Sequence, residues 1–395
     1  MYVVISSNPS SSSSFMRRRL VLIRGGSMSK YSGLGKAFFD LQHVLESEEV
    51  EGWAYGGTLE YENVHHLNPI KRLFKRWFKH PRYVKKMLNT KELADVALVT
   101  DQEQAHLIPK TSTIPVFLYV HDFFHLYPTK EMFPEGMIHI GETKPGLIRR
   151  SDLKKLRKGI SRADALLCNT NYTKQLCARY FPDKPVHIVA YHVDQTGYKK
   201  TAALNEKPEQ FDESKFNILV VGSNEARKRL NFIVDILCML PPQCRENVSV
   251  HHVGSPVTED GSAYIDVKAR KQGLDWTTHQ QGIDDNLLNR FRWHAECLLF
   301  PSAAEGFGYP PLEALMAGLP VLCSDQGAHN EFIPSQFCLD SKDKQVWHDR
   351  LLGMIEEWED RNGPRNEVKL DDNVFSRFER TTYCANLSNA LSSAD

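Results

Sequence analysis

The sequence has no apolar run of about 18 residues or more, the length a membrane-crossing helix requires, so no segment reads as a span. It has no CxxC pair among its eight cysteines. Cys168, Cys297 and Cys323 lie inside apolar strand-like runs, and all eight, with Cys177, Cys238, Cys244, Cys338 and Cys384, read as free thiols in a reducing compartment. A disulfide framework or a zinc site is not indicated. Excess charge of either sign is missing too, because 49 Lys and Arg balance 49 Asp and Glu. That argues against a general polyanion binder, and so against a nucleic-acid partner, while leaving room for a local basic patch. The N-terminus lacks the apolar core of a secretory signal. Its serine run Ser10 to Ser14, before Arg17-Arg18-Arg19, reads as a disordered tail over 1–16, with Met16 an alternative start.

What the sequence does have is length and alternation. A chain of 395 residues exceeds one ordinary core, and two domains of roughly 150 to 200 residues are expected. Apolar strand-like runs recur at 20–23, 96–99, 116–120, 165–168 and 186–190, then at 217–221, 248–253, 297–300 and 319–323. Helical patterns fall between them, so each half reads as a parallel sheet wound with helices. Residues 17–198 form the expected first domain, the polar stretch 199–215 a linker, 216–371 a second domain and 372–395 a terminal helix.

Several motifs bear on chemistry. The Gly25 to Gly35 loop, which includes Gly33-Leu34-Gly35, opens an amphipathic helix, the shape of a phosphate-accommodating βα turn. No complete GxGxxG is present, so a nicotinamide site is weakly supported, and the same glycines also suit a bare turn. His121 ends the run Val116 to Val120, at a strand's carboxyl end where open α/β sheets place ligand groups; a packed histidine under a loop is the alternative. His125 follows four residues later without a third ligand or an HExxH context. His251 and His252 lie within a strand and read as packed. Over 70–86, Ile70, Leu73, Phe74, Trp77 and Phe78 share one helical face and Lys71, Arg72, Lys75, Arg76 and Lys79 the other. Such a helix fits either an anionic membrane surface or the core of the first domain.

The second half holds the densest signal. Asn217 to Val221 runs into Arg227-Lys228 at a helix start, where fixed cations would stabilise a departing diphosphate. From Ala295 to Asn330 the text reads strand, small-residue loop, helix opened by Pro310-Pro311, and strand. Glu305 lies in the loop with Gly306, Phe307 and Gly308, and Glu313 in the first helical turn, beside a helix N-terminus that favours anions.

The stretch EGFGYPPLEALMAGLPV, with Glu305 and Glu313 eight positions apart, resembles the E-x7-E signature of retaining, nucleotide-sugar-dependent glycosyltransferases of family four. Matches to the family's pattern run over about residues 20 to 391, including His121-Asp122, SRADALLCNTNYTK and Arg227-Lys228. Ser223 departs from it, where many relatives carry another arginine. The resemblance implies a GT-B fold: two Rossmann-like domains facing across a cleft, with the C-terminal helix crossing back to the first. It implies Glu305 and the Gly306 to Gly308 backbone on the donor sugar, Glu313 on ribose hydroxyls, Arg227 and Lys228 on the diphosphate, and His121 near sugar and acceptor. Gly33 and Gly35 would face the diphosphate. The catalytic set so implied is His121, Glu305, Arg227 and Lys228.

The expected activity is retaining hexosyl or deoxyhexosyl transfer, mannose or rhamnose favoured, to a glycan or lipid-linked acceptor. No cofactor or metal is expected, since protein cations would neutralise the phosphates and no DxD text stands at a comparable strand end. The donor the resemblance implies is a nucleoside-diphosphate sugar, GDP-linked slightly in preference to UDP- or dTDP-linked. The expected location is cytoplasmic, with peripheral membrane contact through 70–86 as one option. A sugar-nucleotide epimerase or a catalytically silent nucleotide-sugar-binding protein on the same fold is the alternative.

Overall fold

A computed structural model describes residues 17–26, 32–61, 68–90, 93–201, 205–258, 261–280, 282–361, 363, 365–369 and 372–394. The expected tail 1–16 and part of the Gly25 to Gly35 loop lie outside them. The chain divides into two compact units: 1–127, 144–193 and 376–395 form one, and 128–143 and 194–375 the other.

The first unit contains β1 (Arg18–Ile23), α1 (Gly33–Glu46), β2 (Trp53–Leu59), α2 (Pro69–Phe74), α3 (His80–Leu88), β3 (Val96–Val99) and β4 (Val116–Val120). A hairpin, β5 (Thr129–Phe133) and β6 (Gly136–Ile140), interrupts it and belongs to the second unit. The first unit resumes with α4 (Leu147–Ile160), β7 (Ala165–Cys168), α5 (Asn171–Tyr180) and β8 (Val186–Ile188). Its strands form a parallel sheet of order β2-β1-β3-β4-β7-β8. β3, β4 and β7 are apolar along their lengths, and β1 from Leu20 onward, because helices cover both faces of such a sheet.

The second unit runs β9 (Phe216–Val221), α6 (Leu230–Met239), α7 (Pro242–Glu246), β10 (Val248–Val253), α8 (Ile265–Lys271), β11 (Trp276–His279) and α9 (Asp285–His294). It continues with β12 (Cys297–Phe300), α10 (Tyr309–Met316), β13 (Val321–Ser324), β14 (Cys338–Leu339), α11 (Lys344–Glu359) and α12 (Asp372–Ser376). The sheet is parallel, in the order β11-β10-β9-β12-β13-β14. Strand order therefore reverses between β9 and β12, so the connections leave those two strands in opposite directions and open a crevice at their carboxyl ends. α13 (Arg380–Ser392) returns to the first unit, where Arg380 forms a two-point ion pair with Glu49 at 2.5 Å and Ser388 donates to the Glu51 carbonyl.

Three sequence expectations change. The stretch 128–143, read as part of the first domain, is grouped with the second because the hairpin side chains Phe133 and Glu135 pack on Arg229. The described part of the expected linker 199–215 is fixed in the second unit. There Arg290 donates to the carbonyls of Glu206 and Lys207, and Trp293 to that of Tyr198. The helix expected over 70–86 does form, but Lys75–Lys79 is a π-helical turn. Pro81 supplies the reason: it has no N–H to donate to Trp77 and its ring crowds that carbonyl, so the turn widens and His80 donates instead to Lys75. The shared apolar face is broken in consequence. Leu73 and Trp77 are half-buried, whereas Ile70, Phe74 and Phe78 are 79%, 57% and 45% exposed.

The eight cysteines are free thiols, five of them buried. His251 and His252 are buried in the sheet as expected. No helix among the described residues is long and apolar enough to cross a membrane.

Burial holds His80, His121 and His251 down to about 4, from an ordinary 6.5. Each stays neutral in the fold, while in the unfolded chain it takes up a proton as pH falls through 6.5. Their contribution to stability is therefore complete above pH 6.5 and lost progressively as pH falls towards 4. The stability measured by urea unfolding should fall as pH drops from 6.5 towards 4, more steeply at the lower end; a flat profile across that window would contradict their neutral burial.

Candidate functional site

The site is built at the carboxyl ends of β9 and β12. Beyond β9 the chain turns through Gly222 at φ +138°, a conformation open to glycine, and forms a short 3-10 turn, Ala226–Lys228. Beyond β12 it runs Pro301, Ser302, Ala303, Ala304, Glu305. The two exits are stitched together by the Ala303 N–H, which donates to the Arg227 carbonyl at 2.7 Å.

Glu305 is the centre. Its residue is 6% exposed, and one carboxylate oxygen, Oε1, accepts from Lys228 Nζ at 2.5 Å and from Ser302 Oγ at 2.5 Å. Arg227 Nη1 lies 3.1 Å from the same oxygen and donates to the Ala304 carbonyl, while its Nε pairs with Glu225 at 2.8 Å. Burial raises the Glu305 carboxyl, but Lys228 and Arg227 outweigh it and hold the group down to about 2. Burial, and then Arg227, push the Lys228 ammonium below its ordinary value against the pull of Glu305. The arrangement is a desolvated, charge-dense cluster at a strand-order reversal, suited to fixing the charge of an anionic ligand.

Two glycines make the loop possible. Gly308, at φ +101°, caps α10, and a Cβ there would meet His329 Cβ at 2.6 Å. Gly327, at φ +104°, lies under Glu305, and a Cβ would stand 2.7 Å from the Glu305 nitrogen. The turn 326–329 thus packs beneath the acidic loop: Ala328 N–H donates to the Glu305 carbonyl and His329 Nε2 bonds the Ser324 carbonyl at 2.9 Å.

The other expected site residues are placed as follows. Gly306 is half-buried, and the Phe307 ring is buried against Tyr309 and Phe332. Glu313 lies on α10 with both oxygens engaged, Oε1 by the Tyr198 hydroxyl at 2.8 Å and Oε2 by Arg292 at 2.6 Å. Gly33, Gly35 and His121 belong to the first unit. Gly33 is exposed at the start of α1, and the Gly35 N–H donates to the Ser32 hydroxyl that caps the helix. His121 is buried, with Nδ1 on the Tyr191 hydroxyl and Nε2 2.8 Å from the Thr100 carbonyl. As the neutral imidazole it donates from Nε2 and accepts at Nδ1. Asn169 donates to the His121 carbonyl and to Tyr191.

Sequence reasoning missed Ser302, Tyr198, Arg292 and the Arg229–Glu135 pair. Arg229 follows the basic pair directly and was legible as a third cation, but nothing local tied it to Glu135. Among the described residues no group of three or more His, Cys, Asp or Glu gathers as a metal would require.

Comparison with known proteins adds the following. Residues 203–370 match the family model of glycosyl transferases group 1. The chain is 30% identical over 108 residues to O-antigen chain mannosyltransferase B of Escherichia coli, which covers 27% of this chain and 28% of that protein. It is 28% identical over 180 residues to the lipopolysaccharide core biosynthesis mannosyltransferase LpsB of Rhizobium meliloti, 44% of this chain and 49% of that one. These alignments span less than half the length of either relative. Among solved structures, Anabaena HepE in complex with UDP and glucose superposes with a TM-score of 0.67 over 95% of this chain and 100% of that one, at 15% identity. The chain therefore has the two-domain GT-B fold, with a Rossmann-like parallel sheet in each unit.

Gly308→Ala should destabilise the protein by about 1–3 kcal/mol in urea unfolding, because the new Cβ meets both a disfavoured φ and His329. Unchanged stability would show that the α10 cap tolerates a side chain.

Proposed function

We propose that the protein is a retaining glycosyltransferase that moves a hexosyl group, mannose in the first instance, from a nucleoside-diphosphate sugar to a glycan or lipid-linked hydroxyl. One observation carries the reading: buried Glu305 shares an oxygen with Lys228 and Arg227 at the β9/β12 reversal, inside the segment that matches the glycosyl transferases group 1 model. The mannosyltransferase names of two relatives support the sugar class.

Chemically, cleavage of the glycosidic C–O bond leaves negative charge on the outer phosphate of the nucleoside diphosphate. Arg227 and Lys228 stabilise that charge as it develops, in surroundings where water screens little. Glu305 holds the two cations in register and, with the Gly306 to Gly308 backbone, binds sugar hydroxyls. Glu313 serves the ribose when its carboxylate exchanges the Tyr198 hydroxyl for a ribose hydroxyl. His121, held neutral, orients the end of β4 for the acceptor side. The acceptor hydroxyl attacks the face that the diphosphate leaves and gives its proton to that phosphate, so configuration is retained. Protein cations do the neutralising, and no metal is assigned a step. The family resemblance slightly favours GDP as the donor nucleotide; HepE holds UDP, so both are tested.

The lipid-linked acceptor is supported by the surface of the first unit. Ile70, Phe74 and Phe78 stand exposed beside Lys71, Arg72 and Lys79, and Leu147 and Ile148 at the start of α4 are 82% and 59% exposed. The 69–88 helix carries no acidic residue. Exposed aromatics among cations fit an anionic lipid interface.

Two measurements test these readings. Thermal unfolding with GDP, UDP, dTDP and ADP in turn should single out one nucleotide, a ligand at about a hundred times its Kd adding about 2.7 kcal/mol. With the matching sugar donor, Glu305→Ala and Lys228→Ala should each lower turnover at least about tenfold, or about 1.4 kcal/mol of barrier. Full activity in either variant would remove it from the mechanism, and conversion of the donor with no acceptor present would make the protein an epimerase. Separately, Phe74→Ser with Phe78→Ser should abolish co-sedimentation with phosphatidylglycerol vesicles while leaving nucleotide binding unchanged; undiminished sedimentation would move the lipid contact elsewhere.

A further inference from the structure

The turn that carries Arg227 and Lys228 ends on a third cation, Arg229, whose side chain is fully buried. Its Nε and Nη2 donate to the two carboxylate oxygens of Glu135 at 2.5 and 2.9 Å, and its Nη1 to the Pro301 carbonyl at 3.2 Å. The Phe133 and Phe232 rings lie 4.1 and 4.3 Å from the guanidinium carbon. Phe133 and Glu135 come from the tip of the β5–β6 hairpin, 94 residues away from Arg229 at Glu135.

The backbone of Arg229 is as constrained as its side chain. It is left-handed, φ +54° and ψ +43°, and it is the residue that turns the chain out of 226–228 and into α6. A non-glycine residue is disfavoured in that conformation, so the surroundings must enforce it. The guanidinium contacts hold it there together with two backbone bonds, from the Arg229 N–H to the Ala226 carbonyl and from the Phe232 N–H to the Arg229 carbonyl. Pro301, which accepts from Nη1, is also the first residue beyond β12 and leads into Ser302 and Glu305. One side chain thus fixes the turn that bears the cations and the start of the loop that bears their carboxylate.

We infer that the β5–β6 hairpin is a positioning element of the donor site, in which Glu135 and Phe133 clamp Arg229 and so hold Arg227 and Lys228 in register with Glu305. The inference rests on the donor-site reading above. The hairpin carries its own control: its ion pair of Glu131 with Lys342 at 2.8 Å has side chains 34% and 52% exposed, and reaches the clamp only through the Lys342 ammonium, 5.7 Å from the Phe133 ring centre. A surface pair of that kind contributes little, whereas removing Glu135 leaves a buried guanidinium uncompensated.

The test separates the outer phosphate from the rest of the nucleotide. Titration calorimetry of the full chain with GDP and GMP, and in parallel UDP and UMP, gives a diphosphate preference that the two cations create. Glu135→Gln should reduce that preference about tenfold with monophosphate affinity unchanged, Glu135→Asp should recover most of it, and Glu131→Gln should match the wild type. If Glu135→Gln does not fold, Phe133→Leu keeps the charges, removes one face of the clamp, and should still reduce the preference severalfold. A folded Glu135→Gln protein, or Phe133→Leu in its place, that keeps the full preference while Lys228→Ala abolishes it overturns the inference and spares the donor site. A wild type without any preference, or a Lys228→Ala variant that retains it, overturns the donor-site reading and this inference with it.

Discussion

The second unit depends on one shared oxygen. Glu305 Oε1 receives Lys228, Arg227 and Ser302, and the Lys228 and Arg227 side chains are only 11% and 19% exposed. A carboxylate alone in that position would be driven towards the neutral form; two cations reverse the balance and keep it charged. The dependence is mutual, since the Lys228 ammonium is itself depressed by burial and by Arg227, and only Glu305 and more distant acids oppose that. Such a cluster is weak grounds for stability and strong grounds for function, because apolar residues would fill the same volume at a smaller desolvation penalty. Topology supplies its location: β9 and β12 are neighbours whose connections diverge, so their exit loops can carry opposite charges into one crevice.

Backbone freedom is what lets the charges converge. Gly222, Gly308 and Gly327 all have positive φ, and each sits where a side chain or a second loop passes close by. At Gly327 the neighbour is the Glu305 nitrogen, and at Gly308 it is His329, which in turn bonds the Ser324 carbonyl. The acidic loop is therefore supported from below by 326–329 and tied sideways by Ala303 to Arg227.

This division explains what the sequence made legible. Period-two and period-3.6 apolar patterns are local, so most strands were readable, and so was the cluster Glu305, Gly306, Gly308, since loop chemistry and a proline-opened helix leave local marks. β2 was missed because Trp53–Leu59 carries two glycines in its middle, and β11 because Trp276–His279 is mostly polar. The hairpin and the partners of Glu313 were missed for another reason. Glu135 finds Arg229 and Glu313 finds Tyr198 across 94 and 115 positions, and pairing at that range leaves no periodic trace. Gly33 and Gly35 looked alike in the sequence, yet one N–H is already spent on the Ser32 cap.

The 69–88 helix shows how a buried charge can override amphipathic patterning. The pattern would turn all five apolar residues one way and the cations the other. Instead Arg76 and the Trp77 indole both point inward to Asp152, which also takes Arg149, and Lys155 lies 3.5 Å from the Trp77 ring centre. A carboxylate as buried as Asp152 requires cations, and their pull holds that acid below its ordinary value although burial opposes it. Once Arg76 and Trp77 are committed inward, the π turn that Pro81 imposes leaves Phe74 and Phe78 stacked on each other on the outer surface, with ring centres 5.6 Å apart. The exposed aromatic stripe is thus a consequence of satisfying one internal acid, and a polar residue at either position would have left that internal network intact. That the stripe is aromatic is the observation that solvent exposure alone does not account for.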